Sequence, residues 1–255
     1  MQNFDHNGVS IAYLDIASTV EDIGEPILLI HGFASTHAVN WLNTQWVKTL
    51  THAGRRVVLF DNRGHGDSSK LYNAADYATE LMAGDAAALL DHLGIARCDV
   101  MGYSMGARIT AFLALGHPDL VRSAILGGLG IRLVEGAGLP VGIAEALEAK
   151  TLSDVTDPMG RMFRAFADAN HGDRLALAAC IRGTRQTLKA AGAAAIQTPV
   201  LVCVGTHDPI AGDPHALAAL FPNGSAFDIT GRDHNLAVGD KTYKQAVLAF
   251  LEQRT

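Results

Sequence analysis

A chain of 255 residues, 49% hydrophobic and 18% charged, can bury a large core, which excludes a disordered polymer. Its net charge of −6, from 20 basic and 26 acidic side chains, comes with no clustered Lys/Arg stripe, so neither nucleic acid nor an anionic membrane surface is an expected partner. The length fits one domain, with room for an insertion.

The chain opens Met1-Gln2-Asn3-Phe4-Asp5-His6, with neither a basic nor an apolar leader region, so no secretory signal and a cytoplasmic location are expected. A hairpin comes first: a strand over 2–5, an Asn7-Gly8 turn and a strand over 9–16. Short continuous apolar runs then follow at 26–30, 56–60, 98–103, 123–127, 199–205 and 226–230, alternating with helical stretches. Runs apolar on consecutive residues suit strands covered on both faces, the construction of a parallel sheet. They fall far short of the roughly 18 residues that a membrane span requires.

Between the runs, Leu81, Ala88, Leu89 and Leu93 give a 3.6-residue stripe ended by Gly94. Ile109, Phe112, Leu113 and Leu115 give another, stopped at Gly116 before Pro118. The alternation predicts an α/β protein with a mostly parallel sheet. One segment breaks it. About 70 residues between the fourth and fifth of these runs have helical periodicity and no strand, too many for a simple crossover. Residues 130–185 are read as a helical cap inserted into a core made of 1–129 and 186–255. No internal repeat is present. Three cysteines, Cys98, Cys180 and Cys203, are odd in number and far apart, so disulfides are not expected. None of the 11 histidines stands in a metal-ligand spacing, and no metal or cofactor is expected.

The sharpest chemical signal is Gly102-Tyr103-Ser104-Met105-Gly106, where a predicted strand meets a predicted helix. A serine in such a turn projects its hydroxyl clear of the sheet, and flanking glycines leave room for the strained backbone. The positive end of the following helix favours a developing anion there. A serine needs a base, and the base an orienting carboxylate. His234 follows the last predicted strand and Asp208 the one before it, both at strand carboxyl ends, where open α/β sheets bind ligands. His207 and Asp233 compete for the same roles. The backbone N–H groups of Phe33, in His31-Gly32-Phe33, and of Met105 can meet across the site as oxyanion donors. His31 is read as a structural hydrogen-bonding residue. The cluster Asp61-Asn62-Arg63-Gly64-His65-Gly66-Asp67-Ser68 is read as a loop held by internal hydrogen bonds.

Taken together, HGF at 31–33, DNRGHGDS at 61–68, GYSMG at 102–106, GTHDPI at 205–210 and DH at 233–234 resemble the α/β-hydrolase fold superfamily over nearly the whole chain. The resemblance implies an eight-stranded, mostly parallel sheet covered by helices on both faces, with a small helical cap. It makes Ser104 the nucleophile, His234 the base and then acid, and Asp208 the orienting carboxylate. The oxyanion donors become Phe33 and Met105. A glycine often precedes the histidine in that family, where this chain has Asp233. Serine at 104 argues against the aspartate-nucleophile dehalogenases and epoxide hydrolases, and against the cysteine-nucleophile dienelactone hydrolases.

The expected activity is hydrolysis of small-molecule carboxylic esters through an acyl-enzyme. Trp41, Tyr103, Met159, Met162, Phe163 and Phe166 are the expected pocket lining. An apolar roof with few anchoring charges suits short to medium acyl esters or polyester chains. Lactonases of the enol-lactonase type, C–C bond hydrolases and cofactor-free perhydrolases use the same triad. A carboxylate-bearing lactone would call for an arginine in the wall, with Arg132, Arg161, Arg164 and Arg182 as candidates. From another class, a catalytically silent ligand-binding protein of the same fold is the alternative. Oligomeric state has no signal in the sequence.

Overall fold

The computed structural model describes residues 1–136, 139–140 and 142–254. Its strands are β1 (Gln2–His6), β2 (Val9–Ile16), β3 (Ile27–Ile30), β4 (Val57–Phe60), β5 (Cys98–Tyr103), β6 (Val121–Gly127), β7 (Val200–Gly205) and β8 (Gly224–Ile229). They form one eight-stranded sheet in the order β1-β2-β4-β3-β5-β6-β7-β8. The β1–β2 and β2–β4 pairings are antiparallel and all the others parallel. Every predicted strand is present, and the Asn7-Gly8 turn closes the hairpin with both residues at positive φ, 55° and 81°.

Helices α1 (Trp46–His52), α2 (Thr79–His92) and α3 (Met105–Gly116) connect the strands up to β6. Between β6 and β7 lie α4 (Arg132–Glu135), α5 (Gly142–Glu148), α6 (Pro158–Ala169), α7 (Arg174–Gly183) and α8 (Ala190–Ala195), with no strand among the described residues there. The chain ends through α9 (Pro214–Ala218), α10 (His234–Ala237) and α11 (Lys241–Gln253). No helix among the described residues is long and apolar enough to cross a membrane.

Because side chains alternate along a strand, each continuous apolar run serves two cores. Leu28, Ile30, Val58, Phe60 and Val100 pack with α2 and α3 on one face of the sheet. Ile27, Leu29, Val57, Leu59 and Met101 pack with α1 and α11 on the other. Each such fully buried side chain contributes roughly 1.5–3 kcal/mol, so the central strands are the stiffest support available to a site at their carboxyl ends.

The phase of α2 differs from the predicted stripe. Leu81 is exposed and Ala88 and Leu93 are half-buried, while Met82, Ala86, Leu89 and Leu90 face the core. The displaced signal has a physical cause: Asp85 lies on the buried face, where Arg63 donates to it through Nε and Nη2, both at 2.7 Å, and His6 lies 2.8 Å away. An acid neutralised in this way is core by position and surface by hydropathy. In α3, Ile109 and Leu113 are buried as expected, Phe112 is half-buried and Leu115 is exposed.

In the insert, Asp157 caps α6 by accepting from Gly160 N, and Asp173 caps α7 by accepting from Leu175 N and Ala176 N. Ile143, Leu147, Phe163, Ala167 and Leu177 are buried where α5, α6 and α7 meet. Cys98, Cys180 and Cys203 are fully buried free thiols. Burial pushes Cys98 up to about 12 and raises the other two strongly.

Candidate active site

Ser104 sits between β5 and α3 at φ 56° and ψ −111°, a region a residue with a Cβ rarely enters. Its N–H is pinned to Gly127 O at 2.7 Å. Both flanking glycines are required sterically. A Cβ at Gly102 would lie 2.1 Å from Gly106 O, and one at Gly106 2.0 Å from Ile30 O. The turn can therefore be this sharp only because α3 starts against the backbone of β3 and β5.

Asp208 follows β7 and His234 opens α10, just beyond β8. His234 Nε2 lies 3.1 Å from Ser104 Oγ, and His234 Nδ1 lies 2.7 Å from Asp208 Oδ2. The other oxygen of Asp208 accepts from Ile210 N at 2.8 Å and Ala211 N at 3.1 Å, which fixes the carboxylate. Tyr103 Oη donates to His234 O at 2.6 Å, holding the histidine from behind. The competing residues are elsewhere occupied or exposed. Asp233 caps α10 by accepting from Asn235 N and Leu236 N, and His207 faces solvent. That cap gives the departure from the family pattern a structural reason: Asp233 fixes the turn that presents His234.

The segment after β3 is held rigidly. His31 Nδ1 donates to Gly32 O, Asn62 N donates to His31 Nε2, Gly32 N donates to Asn40 Oδ1, and Ala34 N donates to His65 Nε2. Phe33 N–H and Met105 N–H have no acceptor among the described residues. Two free donors beside a serine hydroxyl can receive an oxyanion. Asp61 organises the loop behind them, accepting from His37 N and Asp67 N, while Ser68 Oγ donates to Asp61 O.

His31 and His65 are buried with their rings 5.2 Å apart. Burial, with His31 adding its charge, pushes His65 down to about 3, and burial also lowers His31. Unfolded, both would titrate near 6.5. Their neutral forms stabilise the fold fully above that pH, and this stability is lost as pH falls toward the folded values. For His65 alone the loss at pH 5 is ~2 kcal/mol. The Tm is therefore expected to be lower at pH 5 than at pH 7 in thermal unfolding, and equal values would contradict the assignment.

Above Ser104 opens a cavity of about 510 Å³. Tyr103, Met162, Phe163 and Phe166 line it as expected, joined by Phe33, Val39, Asn40, Asn235 and Val238. Two expected lining residues are elsewhere. Trp41 is fully buried edge-on to Trp46 in the core beneath α1, 6.4 Å between rings, with its Nε1 unpartnered. Met159 packs against the core cluster one turn before Met162. The four candidate arginines are also spent away from the cavity. Arg132 donates to Ile210 O, Arg161 to Leu152 O and Val155 O, Arg164 to Asp168, and Arg182 to Glu148. The arginines beside Ser104 are instead Arg108 and Arg185. Arg108 is visible in the sequence as the one charge in the otherwise apolar start of α3.

A family model described as alpha/beta hydrolase fold matches residues 25–135. A 2-hydroxymuconate semialdehyde hydrolase from Pseudomonas sp. (strain CF600) is 31% identical over 150 residues, 58% of this chain and 50% of that protein. The chain spans about half the length of the curated relatives it matches. Among solved structures, a hydrolase from Pseudomonas aeruginosa PA01 is similar over 98% of this chain and 97% of its own, with a TM-score of 0.75 and 26% identity. An enol-lactonase from Burkholderia xenovorans LB400 has a TM-score of 0.78 over 99% of this chain and 100% of its own, at 22% identity, a likeness of fold.

Proposed function

The chain is an α/β-hydrolase-fold protein, and we propose that it is a serine hydrolase that cleaves carboxylic esters of short to medium acyl length through an acyl-enzyme. The observation that carries this reading is the continuous hydrogen-bonded line from Ser104 Oγ through His234 to a carboxylate fixed by two backbone amides, at the floor of an apolar cavity. In the reaction, Ser104 Oγ attacks the ester carbonyl as its proton passes to His234 Nε2. Asp208 stabilises the imidazolium, and the N–H groups of Phe33 and Met105 receive the oxyanion. Collapse expels the alcohol, which takes the proton from Nε2. A water then gives its proton to Nε2 and attacks the acyl carbon, and Ser104 leaves with that proton. We read residues 130–185 as the cap, with α6 supplying the apolar roof, and 1–129 with 186–255 as the catalytic core.

Turnover of p-nitrophenyl esters is expected to peak at short to medium chain length, and a fluorophosphonate is expected to add to the Ser104 peptide in a mass measurement. No adduct and no turnover would favour a silent binding protein. Faster turnover of a lactone panel than of linear esters would move the reading to a lactonase. Asp208→Asn keeps the shape of the side chain but removes the charge and reverses the preferred tautomer of His234. It should lower kcat on p-nitrophenyl butyrate by about 10⁴-fold.

A further inference from the structure

A second, narrower cavity of about 40 Å³ shares Ser104 and Phe33 with the first but is otherwise walled by different residues, among them Met105, Leu139, Arg108 and Arg185. That volume exceeds the ~10–15 Å³ needed for one water and admits a group of carboxylate size. The wall carries two guanidiniums beside Ser104. Arg63, Arg164 and Arg182 each face a carboxylate. Arg108 and Arg185 face none among the described residues: Arg108 is 6% exposed and donates from Nη1 to Gln186 O, and the half-buried Arg185 reaches Leu139 O, at 3.4 Å from each Nη. Burial, and then the charge of Arg185, lowers Arg108 to about 10, so it remains cationic at neutral pH. A buried guanidinium beside a half-buried one, with no carboxylate partner among the described residues, is costly to maintain unless a ligand supplies the anion.

The proton path decides which part of the ester enters this cavity. His234 must deliver its proton to the leaving oxygen, and His234 lines the large apolar cavity and not the small one. The alcohol therefore lies in the large cavity, and the acyl substituent points away from it, past Met105. We propose that the small cavity anchors a carboxylate on the acyl portion, so that the preferred substrate is the half-ester of a short dicarboxylic acid with an apolar alcohol. This rests on Ser104 acting as the nucleophile. It also revises the expectation of a site with few anchoring charges: the roof is apolar, and the anchor lies beneath it on α3 and just past α7.

Benzyl hydrogen succinate and benzyl 4-methylpentanoate have nearly the same shape and differ in the carboxylate. The wild-type protein is expected to favour the former in kcat/KM by about tenfold or more, and Arg185→Met to lower the charged-to-neutral ratio by about 30-fold, with partial recovery in Arg185→Lys. Because the ratio is taken within each variant, loss of folded protein cancels. A ratio that moves less than about threefold in Arg185→Met, or a wild-type preference for the neutral ester, overturns the anchor and leaves the hydrolase reading standing. A fluorophosphonate adduct without turnover of the half-ester also overturns the anchor alone. Neither adduct nor turnover overturns the hydrolase reading and the anchor with it.

Discussion

Ser104→Ala is expected to lower kcat/KM on p-nitrophenyl butyrate by about 10⁴- to 10⁶-fold while leaving the fold intact. The substitution removes one oxygen and keeps the Cβ, so the positive φ of 56° is no harder to hold, and the N–H of residue 104 still reaches Gly127 O. What disappears is the atom that His234 Nε2 faces at 3.1 Å. His234→Ala should be comparably inactive and the double variant no worse, because residues that act on one proton path are not additive. Steady-state kinetics alongside circular dichroism decide the point. More than about 1% residual activity in a folded Ser104→Ala protein would mean that another group attacks the substrate.

Gly106→Ala should damage the protein itself. The added methyl would lie 2.0 Å from Ile30 O, 2.6 Å from Ile30 C and 2.8 Å from His31 O, all backbone atoms of β3 and its exit. Flexible side chains can turn aside from such a clash, but a central strand cannot, so α3 must lift from the sheet. The expected destabilisation is about 3 kcal/mol or more, lowering Tm by roughly 6–12 °C. The folded fraction should also lose activity, since Met105 N–H and the serine turn move with the helix, and a 1 Å misplacement can cost about 100-fold. Gly116→Ala at the other end of α3 meets nothing within 4 Å and is the control, expected to hold or slightly raise Tm. Equal Tm values for the two variants would refute the close-packing account.

The parts of this molecule that were legible in its sequence are those that local rules dictate. Consecutive apolar residues such as Ile27 to Ile30 announce a strand covered twice, and a serine between two glycines at a strand end announces a sharp turn. Asp208 and His234 were legible because topology sends the carboxyl ends of parallel strands to one edge. The pocket walls were not. Trp41 sits beside residues that do line the cavity, Val39 and Asn40, and which of these neighbours turns inward depends on how the wide turn Ala38–Leu42 seats against the core. Arg108 and Arg185 are 77 positions apart and share a cavity only because the insert folds back over α3. Asp85 misled the phase of α2 because hydropathy cannot see the partner that neutralises a charge.

The three buried thiols sort themselves between the two halves of the architecture. Cys98 and Cys203 lie in the interior strands β5 and β7, whereas Cys180 belongs to α7 in the insert, with its sulfur 3.7 Å from that of Met105 beside Ser104. A thiol reagent therefore times two events on an unlabelled chain. Lifting of the roof releases one reactive sulfur, and collapse of the sheet releases all three. Breathing of the roof and failure of the foundation thus leave different stoichiometries.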